Sequence, residues 1–167
     1  MLDSISYSSS SQNPTNSGAD KSRTVSWTVN DGSLNSATQT TTLNITDPSP
    51  VLGNVAASAA YTAGASPTTL SSGTTVSDAE SANLVSATVS ITGGTFFTGD
   101  TLAASTSGTS ISASYNASTG VLSLTGSDTL AHYQQVLDSV AYSSTSPNPT
   151  NSGADPSRTV SWARRCV

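Results

Sequence analysis

Charged side chains are scarce in this 167-residue chain. They make up 9% of its residues, and five Lys and Arg stand against ten Asp and Glu, for a formal net charge of −5. Proteins that bind nucleic acid neutralise phosphates with a surface cluster of Lys and Arg side chains. Because the chain has too few basic residues for such a surface, we exclude nucleic acid as a partner.

Cysteine and histidine are nearly absent as well. Cys166 and His132 are each the only residue of their type, so no disulfide can form within the chain. A zinc site or a nucleophile–base pair needs several such groups, and we therefore expect no catalytic or metal-binding role for His132. We interpret Asp100 and Asp128 as turn or capping residues.

Long apolar runs are absent and aromatic residues are few. No stretch approaches the roughly 20 apolar residues that span a bilayer, so we predict no membrane insertion. Aromatic residues make up 5% and hydrophobic residues 34% of the chain. Disordered chains of low hydrophobicity usually carry many charges, which this chain lacks. Its Thr-rich alternation of polar and apolar residues instead favours β-strands.

What the chain does contain is an internal repeat. Residues 2–27 and 137–162 align at an offset of 135, and 21 of the 26 aligned positions are identical. Repetition at a fixed period is typical of tandem arrays. We therefore interpret the chain as a window from a longer array.

The pattern along the chain predicts a series of short strands and one helix. Residues 127–128 are expected to cap a helix on which Leu130, Tyr133 and Val136 lie at helical spacing. Residues 23–29 and 38–46 are expected to form a hairpin. The other predicted strands are 2–7, 54–62, one or two short strands in 68–77, 84–92, 110–115, 121–124 and 157–162.

Proline and a change of sequence mark the domain boundaries. The segment TDPSP breaks the strand pattern near residue 47. We predict that residues 1–47 are the C-terminal portion of a preceding repeat. Residues 48–162 are predicted to be the main repeat without its last strand. Residues 163–167 differ from the first copy and are interpreted as a non-native tail.

Four segments resemble the cadherin-like, immunoglobulin-type repeats of large bacterial surface adhesins. They are SRTVSWTVNDG (22–32), TVSDAESANLVSATVSITGG (75–94), YNASTGVLSLTG (115–126) and SDTLAHYQQVLDSVAYSS (127–144). The resemblance implies an all-β fold, a Greek-key β-sandwich with one short helix here. It also implies secretion to the bacterial surface, modules joined end to end, and calcium near the linkers.

Two carboxylates suggest where calcium would bind. Asp78 and Glu80 lie two residues apart in a predicted turn, where both can offer oxygen ligands to one cation. In an immunoglobulin-like sandwich this loop shares an end with Asp47 of the linker and with Asn30 and Asp31. We predict these five residues as candidate Ca²⁺ ligands. The alternative is that they are solvated turn residues.

A missing strand suggests how two chains associate. Residues 137–162 are not followed by a counterpart of residues 38–46. An exposed sheet edge and a spare strand are thus expected in one molecule. We predict that residues 28–47 are exchanged reciprocally between two chains, which gives a homodimer.

Three functions are compatible with these features. The leading prediction is a non-enzymatic, extracellular structural or adhesive repeat module, rigidified by calcium, that contacts neighbouring repeats. The second is a carbohydrate-binding module for surface glycans, although Trp27 and Trp162 lie in apolar alternation and are expected in the core. The third is a weak metal-assisted hydrolase at Asp78 and Glu80.

Overall fold

The computed structural model describes residues 4–11, 13–16, 18–92 and 96–166, of residue 166 the backbone only. The chain divides into two compact units, unit 1 (Met1–Pro48) and unit 2 (Ser49–Val167). Both are built from antiparallel strands, so the fold is all-β as the Thr-rich alternation predicted.

Unit 1 contains the predicted hairpin. Strand β1 (Ser22–Trp27) pairs antiparallel with β2 (Gln39–Asn44). Three threonines occupy the middle of β2, and alternate residues of β1 are half-buried, as in a strand with one face turned inward. The strand predicted at residues 2–7 is not found where the structure describes it, because residues 5–7 are irregular and residues 2–3 lie outside the described part.

Unit 2 holds two larger sheets and one strand pair. The four-stranded sheet has the order β11-β6-β9-β8, the three-stranded sheet the order β4-β10-β7, and β3 pairs with β5. The strands are β3 (Val51–Gly53), β4 (Thr68–Thr69), β5 (Thr75–Ser77), β6 (Asn83–Thr92), β7 (Asp100–Ala103), β8 (Ser112–Asn116), β9 (Val121–Thr129), β10 (Ala141–Ser144) and β11 (Thr159–Cys166).

One α-helix is present in the described residues, α1 (Leu130–Asp138). Its N-cap is Thr129, whose hydroxyl accepts a hydrogen bond from the His132 N–H, and not the predicted residues 127–128. The side chains of Tyr133, Val136 and Leu137 are buried, which confirms the predicted helical spacing.

A single hydrophobic cluster lies at the centre of unit 2. It combines inward side chains of the four-stranded sheet with side chains of α1, β7 and β10, in a sandwich-like arrangement. The buried members are Leu84, Ala87, Val89, Ile91, Leu102, Ile111, Leu122, Leu124, Tyr133, Val136, Leu137, Val140 and Tyr142.

Three parts of unit 2 differ from the prediction. Residues 54–62 form no strand, although their alternation predicted one. Strand β7 was not predicted. Strand β11 continues past Trp162 through Ala163–Cys166, residues interpreted as a non-native tail, and these pair with β6 residues 84–88. No described helix has the length and apolar character needed to cross a membrane.

Candidate functional site

Strand β11 forms one edge of the four-stranded sheet. One side of β11 pairs with β6 along its length, and among the described residues no strand lies along its other side. Val160 and Trp162 are half-buried and contact the core, while Thr159 and Ser161 are exposed. The unpaired side of such a strand offers its N–H and C=O groups to a further strand.

Residues Thr24–Trp27 of β1 have the same sequence as residues Thr159–Trp162 of β11, and β1 has a partner on one side. In the pairing of β1 with β2, Val25 lies opposite Thr41 and Arg23 lies opposite Leu43. The indole Nε1 of Trp27 also donates a hydrogen bond to Thr41 Oγ1 at 3.0 Å. In the described part of the chain, one copy of the repeated segment therefore has a strand in the place of β2 and the other copy has none.

The loops before β1 and β11 fold in the same way. In each, an arginine donates to the carbonyl of a proline nine residues earlier, and an asparagine amide donates to an aspartate four residues later. The pairs are Arg23 and Pro14 (2.5 Å), Arg158 and Pro149 (2.5 Å), Asn16 and Asp20 (3.0 Å), and Asn151 and Asp155 (3.0 Å). The repeated sequence is thus also a repeated structure.

A groove with a volume of about 430 Å³ runs beside the unpaired edge of β11. One wall is formed by residues 55–61, the segment that has no strand pairing. The other wall is formed by residues 155–158 together with Val160 and Trp162, the inward side chains of β11. The groove therefore lies where the side chains of a strand added to β11 would project.

Arg158, in the groove wall, is anchored by the buried side chain of Asp100. Its Nε donates to Asp100 Oδ2 at 2.5 Å, and the Tyr142 hydroxyl donates to Oδ1 at 2.5 Å. The Phe97 N–H also donates to Oδ2, at 2.9 Å. Asp100 closes the turn that begins at Phe97, as predicted, and it is also a buried member of this network with 2% exposure. It ties the start of β11 to β7 and β10.

The pKa values of Tyr142 and Arg158 are raised in this network. Burial, and then the hydrogen bond and charge of Asp100, raise the pKa of Tyr142 to about 12. Burial acts to lower the pKa of Arg158, but the hydrogen bond and charge of Asp100 outweigh burial and the pKa is raised. Arg158 is therefore charged at neutral pH, and its hydrogen bond to Asp100 holds the groove wall in place.

Two of the candidate calcium ligands lie in unit 2. Asp78 Oδ1 accepts hydrogen bonds from the N–H groups of Glu80 and Ser81, at 2.9 and 2.8 Å, so it stabilises the predicted turn. Asp78 Oδ2 is buried without a hydrogen-bond partner in the described structure. Among the described residues no three acidic, His or Cys side chains are close enough to hold a metal, so calcium binding stays a prediction.

The other three candidate ligands lie in unit 1 and form local hydrogen bonds. Asp31 Oδ1 accepts from the N–H groups of Ser33 and Leu34, and the hydrogen bond from Leu34 is the main cause of its lowered pKa. Asn30 Oδ1 accepts from a backbone N–H within the same turn. Asp47 Oδ2 accepts from the Thr15 hydroxyl at 2.8 Å. Each of the three has a role in local folding.

His132 forms a side-chain hydrogen bond with Asp128 in unit 2. Its Nδ1 lies 2.6 Å from Asp128 Oδ1, one helical turn away, and the Asp128 Oδ2 accepts from the Ser110 N–H at 2.6 Å. The hydrogen bond from Ser110 is the main cause of the lowered pKa of Asp128. These contacts join the start of α1 to the segment before β8, a structural role for both side chains.

The comparisons of this chain with known proteins found no relative. No family model, no curated protein and no solved structure matches this chain. The proposal for its function therefore rests on the duplicated segment and on its surroundings.

Proposed function

We propose that this chain is a non-enzymatic structural repeat module of an extracellular, adhesive bacterial surface protein. Each immunoglobulin-like, Greek-key sandwich in the array is completed by the strand that follows its copy of the repeated segment. The observation that carries the proposal is the difference between the two copies: β1 is paired with β2, and the matching side of β11 is unpaired among the described residues.

The duplicated loops support this reading. A loop that keeps its hydrogen bonds in both units presents the following strand in the same way each time. Repeat proteins stack such units, and each unit buries apolar surface that it cannot bury alone. A protein of this kind acts through its length and its end-to-end contacts, which suits a stalk or an adhesive fibre.

Replacing residues 163–167 with the sequence of residues 28–47 tests the proposal. In this extended chain, the copy of β2 follows Trp162 as β2 follows Trp27. We expect the melting temperature of unit 2 to rise by about 5 °C or more, because the added strand pairs with β11 and buries its apolar side chains. Differential scanning calorimetry measures the shift.

A matched extension provides the control. It carries aspartate at the two added positions that correspond to Leu43 and Ile45, so it can pair with the edge but cannot fill the groove. This control should melt close to the original chain. Equal melting temperatures for all three proteins would contradict the proposal.

A further inference from the structure

Unit 1 buries little of its apolar surface. No described residue of unit 1 belongs to the hydrophobic core cluster. Ile5, Tyr7, Val29 and Leu34 are exposed, Leu34 at 73%. A two-stranded hairpin is at best marginally stable in water unless further strands or a core support it. Strand β2 therefore loses little when it leaves β1.

The groove beside β11 lies where two side chains of β2, those of Thr41 and Leu43, would project if β2 paired with β11. In unit 1, Leu43 lies opposite Arg23 and Thr41 opposite Val25. At the offset of 135 residues, Arg158 is the equivalent of Arg23, and Val160 is the equivalent of Val25. Arg158 and Val160 both line the groove. A strand that pairs with β11 in the register of the hairpin thus directs Thr41 and Leu43 into the groove.

The same register continues past the end of β2. The Ile45 N–H donates to the Lys21 carbonyl at 2.8 Å in unit 1, and the equivalent of Lys21 is Pro156, a further groove residue. Segment 39–45 contains no charged residue. Its insertion therefore buries no unpaired charge, which would strongly oppose association.

We infer that residues 39–45 of a second copy of this chain insert beside β11 and fill this groove. The inference rests on the proposed completion of the sandwich by a β2-type strand, and it names the donor as another molecule. In the complex Leu43 lies opposite Arg158 and Thr41 opposite Val160. The Trp162 indole donates to the Thr41 hydroxyl of the second copy, as Trp27 does within unit 1.

Solution mass is the first test. Size-exclusion chromatography with light scattering should give a mass of two or more chains at micromolar concentration. The Leu43→Asp variant should raise the dissociation constant about tenfold or more, because it places a charge in the groove. Leu34→Asp, the same change at an exposed loop position of unit 1, should leave association unchanged.

A cross-link across the two chains tests the register, and it does not depend on whether Leu43→Asp unfolds the hairpin. Ser26 lies opposite Thr40, so Ser161 of one chain should lie opposite Thr40 of the other. Directly opposed strand residues are within disulfide range. Two proteins, Ser161→Cys and Thr40→Cys, each also with Cys166→Ser, are mixed and oxidised with oxidised glutathione.

The mixed disulfide is expected to form quickly between these two proteins. It should be at least tenfold slower when Thr41→Cys replaces Thr40→Cys, because Thr41 points to the opposite face. Equal rates for the two, or a chain of monomeric mass, would overturn the inference. If the chain is monomeric while the extended chain is stabilised, the proposed completion holds and only donation between molecules is wrong.

Discussion

Arg23 and Arg158 occupy equivalent places in the two copies but have different partners. Both donate to backbone carbonyls of their loops. Only Arg158 also meets a buried carboxylate, Asp100; in the described structure no carboxylate forms a salt bridge with Arg23. Removing one member of a buried ion pair leaves the other charge uncompensated, which costs far more than losing exposed hydrogen bonds.

Arg158→Met should therefore destabilise unit 2 by about 3–5 kcal/mol. Arg23→Met should change the stability of unit 2 by less than about 0.5 kcal/mol, since Arg23 lies in the other unit and forms no ion pair in the described structure. Urea unfolding followed by circular dichroism measures both. Similar small effects for the two variants would show that the Asp100 contact contributes little.

Asp128 makes the stability of unit 2 depend on pH in the acid range. Its pKa is lowered by the Ser110 N–H and, less strongly, by Thr129 and His132. Because the folded state releases this proton more readily than the unfolded state, the stabilisation is complete above about pH 5. It is lost as the pH falls through the ordinary value of 3.8 towards the lower folded pKa.

Asp128→Asn should reduce this loss of stability at low pH. Urea unfolding between pH 7 and pH 3 should show a smaller loss of stability in the variant than in the original chain. If both proteins lose the same stability over this range, Asp128 does not carry the acid dependence.

At the scale of elements, strand β9 shows an irregularity that depends on a glycine. The register of β6 and β9 shifts between Leu84 and Ser86, close to Gly126. Gly126 has a φ of +129°, and a Cβ there would lie 2.4 Å from the Ser110 carbonyl oxygen. A side chain would thus meet both a strained backbone and a backbone atom that has little room to move.

Gly126→Ala should lower the free energy of unfolding by about 2 kcal/mol or more. The matched change is Gly108→Ala, because Gly108 also has a positive φ, +77°, but open space around its Cβ position. It should cost about 1 kcal/mol. Chemical denaturation of the two variants separates strain from steric contact, and a smaller cost at Gly126 than at Gly108 would contradict this explanation.

The elements with clear periodicity were predicted well. Helix α1, strand β6, the hairpin of β1 and β2, and strands β8 and β9 have apolar spacing that needs no tertiary context. Residues 54–62 have similar alternation but no partner strand in the described structure, so they stay irregular. The pattern states which face is apolar; it does not state whether a neighbouring strand is present.

The site was only partly visible in the sequence. The unpaired edge follows from comparing the two copies, but the groove and Asp100 depend on contacts far apart in the chain. Arg158 and Asp100 are separated by 58 residues. The arginine present in both copies, Arg23 and Arg158, was a useful signal. In a chain with few charged residues, a repeated charge indicates a position where that charge has a structural partner.

At the scale of the whole molecule, unit 2 lacks a strand at one sheet edge, and unit 1 lacks a core for its hairpin, in the part of the chain that the structure describes. Among the residues that the structure describes, unit 2 has a core and an unpaired sheet edge, and the hairpin of unit 1 contributes no residue to that core. In the proposed arrangement, a β2-type strand pairs with the free side of β11 and packs its apolar side chains against the core. The strand comes from the same array or from a second copy of the chain. This is why the central claim concerns the edge of β11 rather than a catalytic group.

Amide hydrogen exchange of residues 159–162 tests that claim most directly. It is measured by mass spectrometry on the original chain, at a concentration low enough to keep it monomeric, and on the chain extended with residues 28–47. The outward N–H groups of β11 should exchange at least about tenfold more slowly in the extended chain, because the added strand takes their hydrogen bonds. Equal exchange rates in the two proteins would contradict the claim.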